Sequence, residues 1–426
     1  MTLLVRAKTI VTCDTDAAQC GVSFDALGHI ANGAILCEGD HITAIGKAED
    51  VEKFVTTENV DILDLQDCII VPGFVDAHTH PLFAGDREPD FASRLRGEKP
   101  QLGMLHTVEQ TRSALLEPTR FWDDIIAPRL QLMLAHGTTT LETKTGYALH
   151  APGEHTLLEL IVQHNDDTHL PHMIPTFLGA HALAPEFQLE GHDRFIDYLI
   201  DQAIPTAKVH GAVYADAFCE PGFFTPEQTR RYLIAARDAG LRLRVHCDEM
   251  AFGHAAEMAI ELGVDAVDHC NYIREEDVGG IVEHGIVTVV CPATISYLDL
   301  PQKAPVRELL ERGGTVALAS DYNPGTSPCF SLQTVAYFGR KLFGLTAAEA
   351  LYAVTRSAAR SLHLGDAGML RVGGAADFVA LQISSLDEFG WQFGGNLAKH
   401  VIHRGRLVAL PRLRVFDAPL GMTSDV

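Results

Sequence analysis

The sequence predicts a (β/α)8 TIM barrel with a small β-sandwich domain formed by both chain ends. Three observations carry this. Both ends read as short strands between Gly and Asp turns. The middle alternates eight β-rich apolar runs with longer amphipathic segments. Seven of those eight runs end in polar, chemically capable residues, and the strand ends of such a barrel converge on one catalytic face.

The elements follow in order. LLVRAKTIVT, GAILCEGDHITAIG and DILDLQDCIIVPG, within residues 1–70, show no helical period and read as strands. GGAADFVALQI and HVIHRGRLV, within residues 370–426, have the same character, so 1–70 and 370–426 are expected to form one discontinuous domain around a catalytic barrel of 71–369. The eight barrel runs are CIIVPGFVDAHTH, GTTTLETKTGY, MIPTFLGAH, VYADAFCE, RLRVHCDE, VDAVDHC, GIVTVVCPA and GTVALASD. VPGFVDA is taken whole as the first strand. PEQTRRYLIAARDAG, HAAEMAIELG and VRELLERGG between the runs carry apolar residues at helical spacing with a closing glycine. Strands alternating with helices imply βαβ units and a parallel sheet.

Composition bounds the function. Of 426 residues, 47% are apolar and 21% charged, as in a globular protein, and the formal net charge is -23. That charge repels nucleic acid and anionic membrane, so neither is expected as a partner. An anionic substrate would need a local cation. Nine scattered cysteines without CxxC point to reduced thiols and a cytoplasmic setting. The start, MTLLVRAKTIVTCDTD, lacks the pattern of a signal peptide. No stretch is long and apolar enough to suggest a membrane span. A homodimer is expected, the commonest symmetric assembly.

The strand ends supply chemistry. His78 and His80 alternate with Thr79, so on a strand both imidazoles share one face. Two hydrogen-bonded histidines would look the same in sequence. His246 ends the fifth run and Asp321 the eighth. Three histidines and a carboxylate suit one divalent metal, Zn2+ or Fe2+, with Fe3+ as the oxidised form. Such a metal turns water into a nucleophile near neutral pH. Asp321 could take the water proton, Glu249 in HCDE could pass it to a leaving nitrogen, and His269 could polarise the attacked carbonyl or hold the hydroxide. Against this, Glu249 could be a surface acid and His269 a core histidine.

PGFVDAHTH, HGTTTLETKTGY, TFLGAHA, HCDE, the Asp-His at 268–269 and ASDYNPG resemble the amidohydrolase superfamily. Within it, FAGDRE, TKTGY, GAHA and DYNPGTS are similar to the imidazolonepropionases. The resemblance implies that His78, His80, His246 and Asp321 hold one zinc or iron. Some amidohydrolases bridge two metals with a carboxylated lysine at the fourth strand end. AFCE has none there, which favours one metal, and Lys144 on the second strand is expected to be a supporting cation. The resemblance also implies that Arg87 clamps a substrate carboxylate, that Tyr147 and His181 contact the ring, and that Glu249 bonds a ring nitrogen. It places Asn323, Gly325 and Thr326 on the opened product or the propionate. The plainer alternatives are an ion pair of Arg87 with Asp86 or Glu88, packing or capping for Tyr147 and Thr326, and a simple turn at Asn323-Pro324-Gly325.

The implied reaction is hydrolysis of 4-imidazolone-5-propanoate to N-formimidoyl-L-glutamate. The alternative is a hydrolase or deaminase of another small carboxylate-bearing N-heterocycle: a modified imidazolone, a thio-oxo ring or a hydantoin. A scaffold without activity would be expected to have lost ligands, and this chain keeps the whole set. The departure from the family lies in RLRGEKPQLGMLHTVEQTR. There Pro100, Met104 and His106 replace a longer loop with an aromatic residue and a glycine run.

Overall fold

The computed structural model describes residues 2–56 and 59–409. Its centre is an eight-stranded parallel sheet of Phe74–Asp76, Thr138–Lys144, His172–Ala180, Tyr214–Cys219, Arg242–Cys247, Ala266–His269, Val287–Val290 and Val316–Leu318. Neighbours in sequence are neighbours in space. The first and last strands meet just beyond their ends, where Asp321 N donates to His78 O and His80 N to Tyr322 O, each at 3.0 Å. Those two bonds close the barrel with metal-capable residues at the seam.

The helices between strands form where local signals agree. Pro226–Asp238 starts at Thr225, whose hydroxyl accepts from Gln228 N while the Gln228 side chain accepts from Thr225 N. Ala255–Leu262 stops at Gly263, whose φ of 65° suits the left-handed cap. Tyr232, Leu233 and Ala236 of the first helix are buried against the barrel wall.

Both chain ends join in one seven-stranded mixed sheet. Its order is Arg406–Leu407, Ala398–His403, Phe378–Leu381, Val60–Pro72, Thr2–Val11, His29–Glu38, His41–Lys47. Thr2–Val11 and Val60–Pro72 run parallel; every other adjacent pair is antiparallel. The sheet curls until His41 bridges Ala375. Ile42, Phe378 and Ile402 then share one buried cluster, so a single folded sheet supplies both layers. The part of the expected small domain at 410–426 lies outside the described residues.

One sequence reading is corrected. VPGFVDA is not a single barrel strand. Val71 and Pro72 pair with Val379 and Phe378 in the small sheet, and the barrel strand begins at Phe74. Gly73 is the joint. A Cβ there would lie 2.1 Å from Thr139 Oγ1, so only glycine lets the chain pass so close to the second barrel strand. Continuous apolarity hid the break, because both halves are core. No helix among the described residues is long and apolar enough to cross a membrane.

Candidate active site

At the carboxyl ends of the barrel strands the ring nitrogens of three histidines converge. His80 Nε2 lies 3.1 Å from His78 Nε2 and 3.4 Å from His246 Nε2. Asp321 Oδ1 lies 3.5 Å from both His78 Nε2 and His80 Nε2. The other oxygen, Oδ2, accepts from Thr294 Oγ1 at 2.7 Å, which aims Oδ1 at the histidines. His78 and His246 turn their outer nitrogens away to carboxylates. His78 Nδ1 lies 2.8 Å from Asp268 Oδ2 and His246 Nδ1 3.0 Å from Asp216 Oδ2. With the outer nitrogens bearing the protons, inner lone pairs face each other across about a van der Waals gap. Such an arrangement is repulsive unless a cation sits among them. Four ligands about 2.1 Å from a tetrahedral ion stand about 3.4 Å apart, which is the spacing here. The donor set therefore fits a divalent metal.

Burial supports the same protonation. It pulls the pKa of His78, His80 and His269 well below the imidazole value, with neighbouring cationic groups adding to the effect. His181 is pushed down to about 3, again mainly by burial. Asp321 is raised to about 6, chiefly by burial. His269 and Asp321 sit at φ of 68° and 52°. Residues with a Cβ hold such backbone positions only where the surroundings impose them.

Beneath the histidines lies a charge network that sequence reasoning mostly missed. Lys144 Nζ donates to Glu142 Oε1 at 2.7 Å and Asp216 Oδ2 at 2.6 Å, and lies 3.4 Å from Asp268 Oδ2. Arg244 Nη2 donates to Asp268 Oδ1 and to Ala77 O, both at 2.9 Å. All five side chains are buried. Burial opposes the Lys144 charge, but Asp216, Glu142 and Asp268 outweigh it and raise the lysine's pKa. The expected supporting role of Lys144 thus has a concrete form: it touches the carboxylates that orient His78 and His246. The signal available in sequence was charge at inward strand positions, Glu142 with Lys144 and Arg244 with His246, each two residues apart.

Above the histidines opens a cavity of about 390 Å3. Glu249, His269, Tyr147 and His181 reach it, as do Arg87, Asn323 and Thr326. His181 Nδ1 is fixed to Gly146 O at 2.9 Å, and its ring stacks on His80 at 5.3 Å. Its Nε2 is left for the cavity. Glu249 is no surface acid: it is buried, 3.7 Å from His269 Nδ1, and its pKa is raised well above the usual range by burial, with Asp321 and Glu220 adding repulsion. Its backbone is held by Glu220, which accepts from the N–H groups of Glu249, Met250 and Ala251 at 2.8, 3.1 and 2.7 Å. Neither ring nitrogen of His269 makes a hydrogen bond although the side chain is buried, as expected of a group kept for a ligand.

Arg87 pairs with neither Asp86 nor Glu88. Its Nε donates to buried Asp90 at 2.7 Å, and Asp90 also accepts from Leu102 N at 2.7 Å and Gly103 N at 3.0 Å. One carboxylate thus fixes both the arginine and the divergent loop. Pro100 and Met104 of that loop line the cavity; His106 does not. Asn323 is engaged in its own turn. Its Oδ1 accepts from Gly325 N and Thr326 N at 2.8 Å each, and its Nδ2 donates to Asp321 O at 2.7 Å. Gly325 makes room for the cation, since a Cβ there would stand 2.2 Å from Arg87 Nη1.

Known proteins resemble this chain throughout. The profile of the amidohydrolase family matches residues 69–408. An imidazolonepropionase of Cutibacterium acnes is 35% identical over 398 residues, covering 92% of this chain and 95% of that one. One of Erwinia tasmaniensis is 37% identical over 393 residues, covering 89% and 93%. Among solved structures, E. coli guanine deaminase superposes with a TM-score of 0.72 at 19% identity, covering 95% of this chain and 99% of that one. The zinc complex of atrazine chlorohydrolase from Arthrobacter aurescens does so at 0.70 and 19%, covering 97% of each. Those two likenesses speak to the fold. With the family profile spanning the barrel and full-length relatives above one-third identity, the chain belongs to the amidohydrolase family, among the imidazolonepropionases.

Proposed function

We propose that the chain is a metal-dependent hydrolase of a cyclic amide, opening 4-imidazolone-5-propanoate to N-formimidoyl-L-glutamate in histidine degradation. The observation that carries it is the meeting of three imidazole nitrogens and one carboxylate oxygen at 3.1–3.5 Å beneath a cavity whose rim holds Arg87. His78, His80, His246 and Asp321 would hold one Zn2+ or Fe2+. When bound, such an ion supplies Lewis acidity to a water and to the ring carbonyl.

The protein's own groups do the rest. Arg87 holds the propionate, with two guanidinium nitrogens still free of Asp90. Tyr147 and His181 fix the ring in the plane between them. Asp321, with its raised pKa, accepts the proton of the attacking water. His269 donates to the carbonyl oxygen as negative charge develops there. Glu249, favoured in its protonated form by burial, protonates the ring nitrogen as the C–N bond breaks. The carbonyl carbon keeps the water oxygen as a carboxylate. The nitrogen leaves as part of the formimidoyl group.

The reading assigns the barrel from Phe74 to residue 369 to catalysis and the flanking segments to the small domain, with the first boundary moved from residue 70 to the Gly73 joint by the pairing of Val71 and Pro72. It includes a cytoplasmic setting, supported by nine unpaired cysteines, and a homodimer. The test is to incubate protein reloaded with zinc or ferrous iron with 4-imidazolone-5-propanoate and identify the product by NMR. N-formimidoyl-L-glutamate is expected. No turnover of it, with turnover of a hydantoin or thio-oxo analogue instead, would overturn the substrate assignment while keeping the chemistry.

A further inference from the structure

The cavity holds a second guanidinium that sequence reasoning did not single out. Arg94 follows Arg87 by seven residues, on the helix Glu88–Leu95 that Arg87 caps. Two helical turns separate them, so both side chains leave the same face. Both reach Gly325 from that face. Arg87 Nη1 packs against its Cα, where a Cβ would be 2.2 Å away, and Arg94 Nη2 donates to its carbonyl oxygen at 3.3 Å. Arg94 also lies over the Tyr297 ring, 5.5 Å from its centroid. Its Nη1 is buried and carries no hydrogen bond.

The charges around this pair do not balance. Asp90 is the carboxylate paired with Arg87. Arg94 has the Gly325 carbonyl and the side chain of Tyr297, both its ring and a hydrogen bond to its hydroxyl, and these neutral groups bring no negative charge. Two cations beside one glycine repel each other, and a buried donor without a partner costs stability. In a chain of net charge -23, such a pair at a cavity wall is complementary to one more anion. We propose that Arg94 is the second arm of the carboxylate clamp, so that the acidic side chain of the substrate bridges Arg87 and Arg94 over Gly325. Arg94 is then a specificity-determining residue: it selects for the charged carboxylate and takes no part in bond breaking. This deepens the functional reading above and rests on it.

The test uses metal-loaded full-length protein and four measurements on Arg94→Met and Arg94→Lys: KM and kcat for 4-imidazolone-5-propanoate, inhibition by imidazole-4-propanoate, and inhibition by its methyl ester. For Arg94→Met we expect KM and the acid's inhibition constant to rise at least about tenfold, the range of a charge-assisted hydrogen bond. We expect kcat to stay within about twofold, and the ester to inhibit as before. Arg94→Lys, which keeps a charge but loses the fork, should fall between. Equal losses for acid and ester would show that Arg94 only props the Gly325 turn, and an unchanged KM would place the carboxylate elsewhere. Either overturns the proposal. If Arg94→Met does not fold, the acid-to-ester ratio of Arg94→Lys decides the question alone. If the unsubstituted protein neither turns over the imidazolone nor binds imidazole-4-propanoate, it is the underlying functional reading that fails.

Discussion

The floor and the rim of the cavity are built on different principles. On the floor, His78, His246 and Asp321 each have a buried partner behind them: Asp268, Asp216 and Thr294. Lys144 and Arg244 in turn fix the two aspartates. All of these side chains except Thr294, which stands on the helix Pro292–Leu298, come from a barrel strand or from the loop just after one, and all are buried. On the rim, Arg87 and Arg94 ride a short helix and lean on a turn, and the Asp90 carboxylate ties them to a loop. The floor is fixed by several mutually dependent buried groups, and the rim by fewer contacts. On the proposed reading, reaction chemistry sits where geometry is most constrained, and substrate choice where it is least.

That contrast can be broken or sharpened by mutation. The largest effect is expected on the floor. Asp321→Ala should remove both a metal donor and the proton acceptor, lowering kcat by about 10^4-fold or more together with metal content. Lys144→Met should leave Glu142, Asp216 and Asp268 without their shared cation. We expect a loss of about 3–5 kcal/mol in stability from the broken buried network, seen as a lower urea midpoint, and about 10–100-fold weaker metal binding. Retention of both would mean that the network is not what orients the histidines.

Acid should weaken the floor before the rim. Asp321, at about 6, must lose its proton to bind metal. Its raised pKa means that the donor is available above pH 6 and is lost as pH falls below it. Apparent zinc affinity, measured with a chromophoric chelator, should therefore drop about tenfold per pH unit below 6. At the rim, Arg87→Met should raise KM by about 10–100-fold without metal loss. Gly325→Ala should have the smallest effect, a KM increase of a few-fold as Arg87 shifts to clear the new methyl. An Arg87→Met variant that lost metal would erase the distinction between the two regions.

How much could be read beforehand follows the same division. The eight barrel runs were legible because strands buried in a parallel sheet are apolar along their length, and their polar ends then stand out. His78, His80, His246, His269 and Asp321 were legible for that reason. Asp216, Glu142 and Arg244 were not, and Asp268 stood out only as half of a family motif with no role attached: they lie inside the strand runs, and an inward charge is recognisable only once its partner from a distant strand is known. The break at Gly73 was hidden because the residues on both sides are apolar. Arg94 was hidden because a basic residue on a polar helix reads as solvated surface until the Gly325 turn, some 230 residues away in sequence, folds onto it.

The most direct test is stoichiometric. Metal-free protein is titrated with zinc while loss of the imidazolone absorbance is followed. Activity is predicted to rise in proportion to added metal and stop at one equivalent per chain. Activity without metal, or a plateau only at two equivalents, would contradict a single site held by His78, His80, His246 and Asp321.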